Sequence, residues 1–217
     1  LLGRHTGVVV PVRTLQRFIA EELGRDGRVS TVRVVDSPPG QILEVDFCEL
    51  GVWLDRSTGE RRKLHALVCV ANFSRHQFVW PCPSQTRQDV IEGLEAAWAF
   101  FGGVFAVMVT DNMSVVVDVP DPVSPRLNQH FVQYAQSRGF VVDLTRPRKP
   151  KDKARVERQV RYVRDDFFAG EDFGSLQEAR SEAVRWCRDE AGLRTHGRTR
   201  QRPLEVFDEQ EKPLLLP

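Results

Sequence analysis

The sequence predicts an α/β domain built on a mixed five-stranded sheet, three antiparallel strands then two parallel ones, with helices on both faces. Three observations predict it. From Gln41 to Trp80, runs rich in β-branched and aromatic residues are separated by turn residues, as in an antiparallel meander. Further on, stretches of helical period alternate with short apolar runs, the pattern of parallel strands joined by crossover helices. Finally, 217 residues with 41% hydrophobic and 28% charged content are ordinary for one globular domain able to bury a core.

The elements follow in order. In residues 1–27, VPVRTLQRFIAEELG sets Val12, Leu15, Phe18, Ile19 and Leu23 on one helical face and stops at Gly24. It fits the last helix of a helix-turn-helix, and equally a linker helix. Residues 1–40 are therefore expected to be the remnant of an N-terminal DNA-binding region plus a linker. The core is expected over 41–192. QILEVDFCELGVWLD reads as a strand buried on both faces. A turn at Arg56-Ser57-Thr58-Gly59 returns the chain through KLHALVCVANF, and a second turn near Ser74-Arg75 leads to HQFVW. Val90, Ile91, Leu94, Ala97, Trp98 and Phe101 then recur at helical spacing, Thr86 to Asp89 fits a capping box, and Gly102-Gly103 ends the helix. VFAVMVT (104–110) reads as a central parallel strand ending on Asp111. A polar loop over 118–126, a helix from Leu127 to Arg138 and a short strand FVVDL follow. Val156, Val160, Val163 and Phe167 mark a further helical stripe, and Ser175 to Ala191 another helix. Residues 193–217 read as a basic C-terminal extension with Arg194, Arg198, Arg200 and Arg202. The order β-β-β-α-β-α-β-α is that of an RNase H-like domain, in which right-handed crossovers set the first and fourth strands side by side and parallel.

Net charge is only +1, so affinity for nucleic acid requires segregated charge. Segregation is visible. Residues 146–164 hold nine Lys or Arg against two acids, whereas 165–190 hold eight acids against three arginines. Cys48, Cys69, Cys82 and Cys187 show no CxxC spacing and read as buried free thiols of a reducing compartment. No apolar run reaches ~18 residues and no signal peptide is visible, so membrane and export readings fall away and a cytoplasmic protein is expected. His65, His76 and His130 read as core or surface histidines, and Trp80, Trp98 and Trp186 as core.

The candidate chemistry lies in three carboxylates. Asp46 stands mid-strand between Val45 and Phe47, where an acid is costly unless paired or metal-bound. Asp111 stands at the carboxyl end of the neighbouring strand, where open α/β sheets place ligands. Glu157 comes from the basic helix expected to pack across the same edge. Each has a plainer explanation: a satisfied buried acid, an N-cap, an ion pair with Arg161. Jointly they suit two Mg²⁺ ions, with Mn²⁺ as substitute, because hard cations prefer carboxylate oxygen and a metal pair suits displacement at a phosphodiester. Asp46 would bridge the ions, and Asp111 and Glu157 would each hold one. Arg146, Arg148, Lys149, Lys151, Lys153 and Arg155 are candidates for backbone phosphates.

EVDF around Asp46, TDNM around Asp111 and RPRKPKDKARVER around Glu157 resemble the three signatures of DDE transposases and retroviral-type integrases. AFFGGVF, CPSQT, LNQHFVQYAQSRGF and RTRQRPLEVF bring the likeness closest to the IstA-type transposases of bacterial insertion sequences. The resemblance runs from about Val29 to Phe207. It implies an RNase H-like integrase catalytic core, a polynucleotidyl transferase that cuts transposon ends and joins their 3′-hydroxyls to target DNA. It also implies metal ligation by Asp46, Asp111 and Glu157, the family's asparagine at Asn112, and basic residues facing DNA at Lys153 and Arg155. The partners it implies are double-stranded DNA, further copies of the chain as a dimer or higher on DNA, and an AAA+ helper ATPase. The chain departs from the pattern in Ala154, where glycine is common, and in lacking a His/Cys zinc module. Two other readings stay open: a metal-dependent nuclease of the same fold without strand transfer, and a domesticated, non-catalytic DNA-binding protein, against which the three retained acids argue.

Overall fold

Strand β1 (Ile42–Asp55) runs antiparallel to β2 (Glu60–Ala71), which runs antiparallel to β3 (Gln77–Cys82). The structure is a computed structural model that describes residues 37–56, 58–111, 113–119, 125–144 and 160–217. The turn after β1 closes when Gly59 N–H donates to the Asp55 carbonyl at 2.7 Å, with Gly59 at φ 75°. The second turn places Arg75 at φ 70°. Helix α1 (Arg87–Phe101) then starts on a capping box, Thr86 and Asp89 bonding each other's backbone N–H, and ends on Gly102 in the left-handed region. Strand β4 (Val107–Thr110), helix α2 (Gln129–Arg138) and strand β7 (Val141–Leu144) complete a sheet of order β3-β2-β1-β4-β7, with β4 parallel to both β1 and β7. The expected mixed five-stranded sheet is the observed one.

Two details differ from expectation. The apolar run 104–110 is not all strand. Val104 instead bridges Leu216, and Phe105 is fully buried beside Phe101, so the run's first half closes the core before β4 begins. The expected polar loop after Asp111 contains a small antiparallel pair of β5 (Val117–Val119) and β6 (Arg126–Leu127), so Leu127, expected to open the next helix, lies in a strand and α2 begins at Gln129 behind the Asn128 cap. Strands this short leave no readable period.

Alternation along the strands divides the core between the two faces of the sheet. Leu43, Val45, Leu67, Cys69, Phe78 and Met108 pack with Leu94, Trp98 and Phe101 of α1 and Phe131 of α2. Cys48, Leu50, Val68, Val70 and Val79 pack on the opposite face with Val163, Phe167 and helix α3 (Leu176–Trp186), capped by Ser175. Val163 and Phe167 of the expected stripe are thus buried; Val156 lies outside the described residues.

The C-terminal segment joins this core. After α4 (Pro203–Val206), Phe207 packs 5.3 Å from the Phe101 ring and 5.2 Å from His76. Glu211 is fully buried, its carboxylate accepting from Gly40 N–H at 3.2 Å and Ser74 N–H at 3.0 Å. One side chain thereby holds the entry to β1 and the β2–β3 turn. All described residues fall in one compact unit, Asp36–Pro217.

Glu211→Ala strands two buried N–H donors and should cost about 3 kcal/mol in urea unfolding, whereas Glu211→Gln, which keeps an acceptor, should cost about 1. His76 is buried among Phe100, Phe101 and Phe207, and its Nδ1 has no hydrogen-bond partner among the described residues. Burial, with Arg188 adding to it, lowers its pKa to about 3. The unfolded chain protonates this histidine near ~6.5 while the folded chain does not, so stability falls as pH drops below that value. His76 should contribute a loss of about 1.4 kcal/mol per pH unit from pH ~6.5 down to ~5, and His76→Phe should remove that slope from the pH dependence of the unfolding midpoint.

Candidate active site

Leu43 and Val45 of β1 and Met108 of β4 face the first core cluster. The alternating residues Glu44 and Asp46 therefore face the other side of the sheet, as do Val107 and Val109. The β1–β4 pairing runs in parallel register from Ile42 with Val107 to Val45 with Thr110. One step further stand Asp46 and Asp111. Neighbouring strands lie about 4.8 Å apart, so this register brings two residues 65 positions apart in sequence (111 − 46) to adjoining places at the carboxyl end of β4. Both aspartates are half-buried. One Asp46 carboxylate oxygen, Oδ1, accepts from Phe47 N–H at 2.8 Å, and the chain turns after Asp111, whose carbonyl accepts from Met113 N–H at 2.7 Å.

The next helical segment arrives on the same face. Cys48 points to that side and its Sγ donates to the Val160 carbonyl at 3.6 Å. Burial pushes the Cys48 thiol up to about 11; the Arg164 charge opposes the shift and the Asp46 charge adds to it. With the Cys48 thiol turned to the Val160 carbonyl, the donors offered at this end of the sheet are carboxylate oxygens, a set that suits Mg²⁺ or Mn²⁺.

Glu157, Asn112, Arg146, Arg148, Lys149, Lys151, Lys153 and Arg155 all lie outside the described residues. Among the described residues no three His, Cys, Asp or Glu side chains form a metal-holding group. His65 meets Gln85 Nε2 at 3.2 Å, and His130 is exposed on α2. Trp98 and Trp186 are buried as expected, whereas Trp80 is half-buried with the Arg180 guanidinium 4.2 Å over its ring. One neighbour of the aspartates escaped sequence reasoning. Glu44 accepts from Asn72 Nδ2, and Asn72 Oδ1 in turn accepts from Ser37 Oγ at 2.9 Å, tying the chain's approach to β1 to the face that carries Asp46. Strand period alone places Glu44 beside Asp46 (i, i+2); its partner Asn72 had no readable signal.

A family model described as the integrase core domain matches residues 36–150. The chain belongs to the integrase core family. It is 36% identical over 213 residues to a putative transposase of Mycobacterium tuberculosis, covering 97% of this chain and 52% of that protein. It is 30% identical over 185 residues to the transposase of insertion sequence element IS21 of Pseudomonas aeruginosa, covering 85% and 46%. The chain thus spans about half the length of the curated relatives it matches. Among solved structures, the HTLV-2 integrase catalytic core in complex with magnesium superposes with TM-score 0.54 at 16% identity, covering 80% of this chain and 99% of that one. The BIV integrase catalytic core gives TM-score 0.55 at 16% identity, covering 78% and 95%. At that identity the likeness establishes the fold, which is the RNase H-like one expected from the element order. No helix among the described residues is long and apolar enough to cross a membrane.

All four cysteines of this integrase core are free and buried, and burial pushes Cys82 up to about 12 and raises Cys69 and Cys187 as well. Iodoacetamide at pH ~8 should leave all four unlabelled in the native protein and label all four in denaturant, read by intact mass.

Proposed function

We propose that this chain is the catalytic core of a DNA transposase, which cuts the ends of its element and joins the resulting 3′-hydroxyls to target DNA. The observation that supports the reading is the parallel register of β1 and β4, whose last pair, Val45 with Thr110, is followed in each stretch by an aspartate, Asp46 and Asp111. The transposase descriptions of the relatives agree with it. Glu157 is the proposed third carboxylate. It precedes Val160 by three residues, and Val160 is where the chain meets Cys48, two residues beyond Asp46 on the same strand face.

In this reading Asp46, Asp111 and Glu157 would hold two Mg²⁺ ions, for which Mn²⁺ could substitute, with Asp46 as the ligand common to both. When bound, the ions lower the pKa of the attacking water or hydroxyl and stabilise the leaving oxygen. The chain's own share is to hold the carboxylates in place against their mutual repulsion. β1 and β4 do this through a backbone ladder that does not depend on the metal. Arg146, Arg148, Lys149, Lys151, Lys153 and Arg155, with Asn112, are proposed DNA contacts, the basic residues meeting phosphates and giving affinity more than sequence choice. A dimer or larger assembly on DNA and an AAA+ helper ATPase are the proposed partners.

The test is an in vitro reaction with labelled donor ends and a target plasmid. Joined products that require Mg²⁺ or Mn²⁺ are expected; cut ends without joining would identify a nuclease instead. Asp46→Asn, Asp111→Asn and Glu157→Gln should each lower the rate on the order of 10³-fold, about 4 kcal/mol of transition-state stabilisation, with unfolding midpoints unchanged or raised. Activity that survives Asp46→Asn, or that needs no divalent ion, sinks the proposal.

A further inference from the structure

The eleven residues Leu193–Pro203 contain four arginines and His196 and no acid. They form an ordered loop with joined ends. Leu204 N–H donates to the Gly192 carbonyl at 2.9 Å, closing the loop at its neck. Within it, His196 N–H donates to the Gln201 carbonyl at 2.9 Å and Arg200 N–H to the His196 carbonyl at 2.8 Å. Thr199 N–H donates to His196 Nδ1 at 3.3 Å. Such closed surface loops are held by their own contacts and frequently carry function. The neck needs glycine, because a Cβ at Gly192 would stand 2.8 Å from the carbonyl oxygens of Arg188 and Cys187.

The four arginines have different surroundings. Arg194 sits over Tyr162, its guanidinium carbon 3.5 Å from the ring centre. Arg202 pairs with Glu205 at 2.8 Å. Arg198 and Arg200 are exposed, and no ion pair engages either among the described residues. Arg200 moreover takes a left-handed backbone, φ 59°, which is uncommon for a residue other than glycine and here is fixed by the bond to His196. The loop thus presents, on a preformed scaffold, two guanidinium groups that pair with no acid among the described residues, and it has no acid of its own to neutralise them.

Its position gives it a partner. Tyr162, under Arg194, belongs to the helical segment that enters at Val160 beside Cys48, on the sheet face shared by Cys48 and Asp46. We propose that the Gly192–Leu204 loop is a second DNA-contacting element, in which Arg198 and Arg200 grip backbone phosphates of duplex DNA bound at the end of the sheet that carries the half-buried Asp46. Planar guanidinium groups suit paired phosphate oxygens, and a pre-ordered loop has little conformational entropy left to lose on binding. This rests on the proposed function insofar as that function requires DNA at this end of the sheet, but it assigns contact to residues far in sequence from the basic stretch 146–155.

The experiment measures binding of the whole chain to a fluorescent duplex of arbitrary sequence, by anisotropy, in EDTA and over a range of salt. Each phosphate contact contributes about 0.9 to the slope of log affinity against log salt. R198Q should flatten the slope by about 0.9 and R198Q/R200Q by about 1.8, with thermal melting unchanged because both side chains are exposed. The charge-matched pair R61Q/R126Q, on other exposed surface, should leave it as in the wild type. An unchanged slope in R198Q/R200Q, or an equal loss in R61Q/R126Q, overturns the loop assignment while leaving the cleavage-and-joining reading intact. A wild-type chain that binds no duplex at all overturns both.

Discussion

Four pairs hold β1 against β4, from Ile42 with Val107 to Val45 with Thr110, and the next residue on each strand is an aspartate. Everything proposed for the chemistry depends on that ladder. A slip of one residue would turn every β4 side chain to the opposite face and carry Asp111 away from Asp46. The register is set by burial. Leu43, Val45 and Met108 lie almost wholly out of water on one face, so a slip would exchange apolar groups for Glu44 or Val109 against α1. Two like charges side by side therefore remain tolerable because the energy that fixes them is spent on the other side of the sheet.

The same division of labour explains the C-terminal segment. Expected from its arginines to be a basic extension, it also contributes Phe207 to the core and a buried carboxylate to two distant backbone donors. Gly40 and Ser74 lie 34 residues apart (74 − 40), and Glu211 reaches both. With the Ser37–Asn72–Glu44 relay, the approach to β1 is secured from both sides of the strand before the chain reaches Asp46. A metal site on a strand needs such anchoring, because small displacements of its ligands have large effects on catalysis.

Much of this was legible in the sequence, for identifiable reasons. The meander, the capping box at Thr86–Asp89 and the stops at Gly102 and Gly139 are local signals, and local rules read them. Asp46 and Asp111 stood out because an acid at the middle or end of an apolar strand is costly unless paired or metal-bound, and the register sets them at adjoining places. What escaped was non-local. The bridge of Val104 to Leu216 truncates β4, and nothing in VFAVMVT announces a partner 112 residues away (216 − 104). Glu211 sits in an acidic, outwardly solvated run, DEQEK, and only the fold shows that one of its acids is wholly buried.

Charge shows the same limit from the other direction. The net charge of +1 predicts no attraction to a polyanion, yet attraction depends on the field at one surface and not on the sum. Several acids among the described residues are spent on internal work: Asp89 on a helix cap, Glu95 on Tyr134 and Arg138, Glu211 on two backbone donors, Glu205 on Arg202. Arginines left over after that pairing are the ones able to meet phosphate. Counting charged residues cannot separate the two groups; within the basic tail, pairing sets Arg198 and Arg200 apart from Arg202, and position beside the Tyr162 segment sets them apart from other exposed arginines such as Arg61 and Arg126. The proposed surface for DNA is accordingly defined by position together with pairing, and not by where cations are abundant in the sequence.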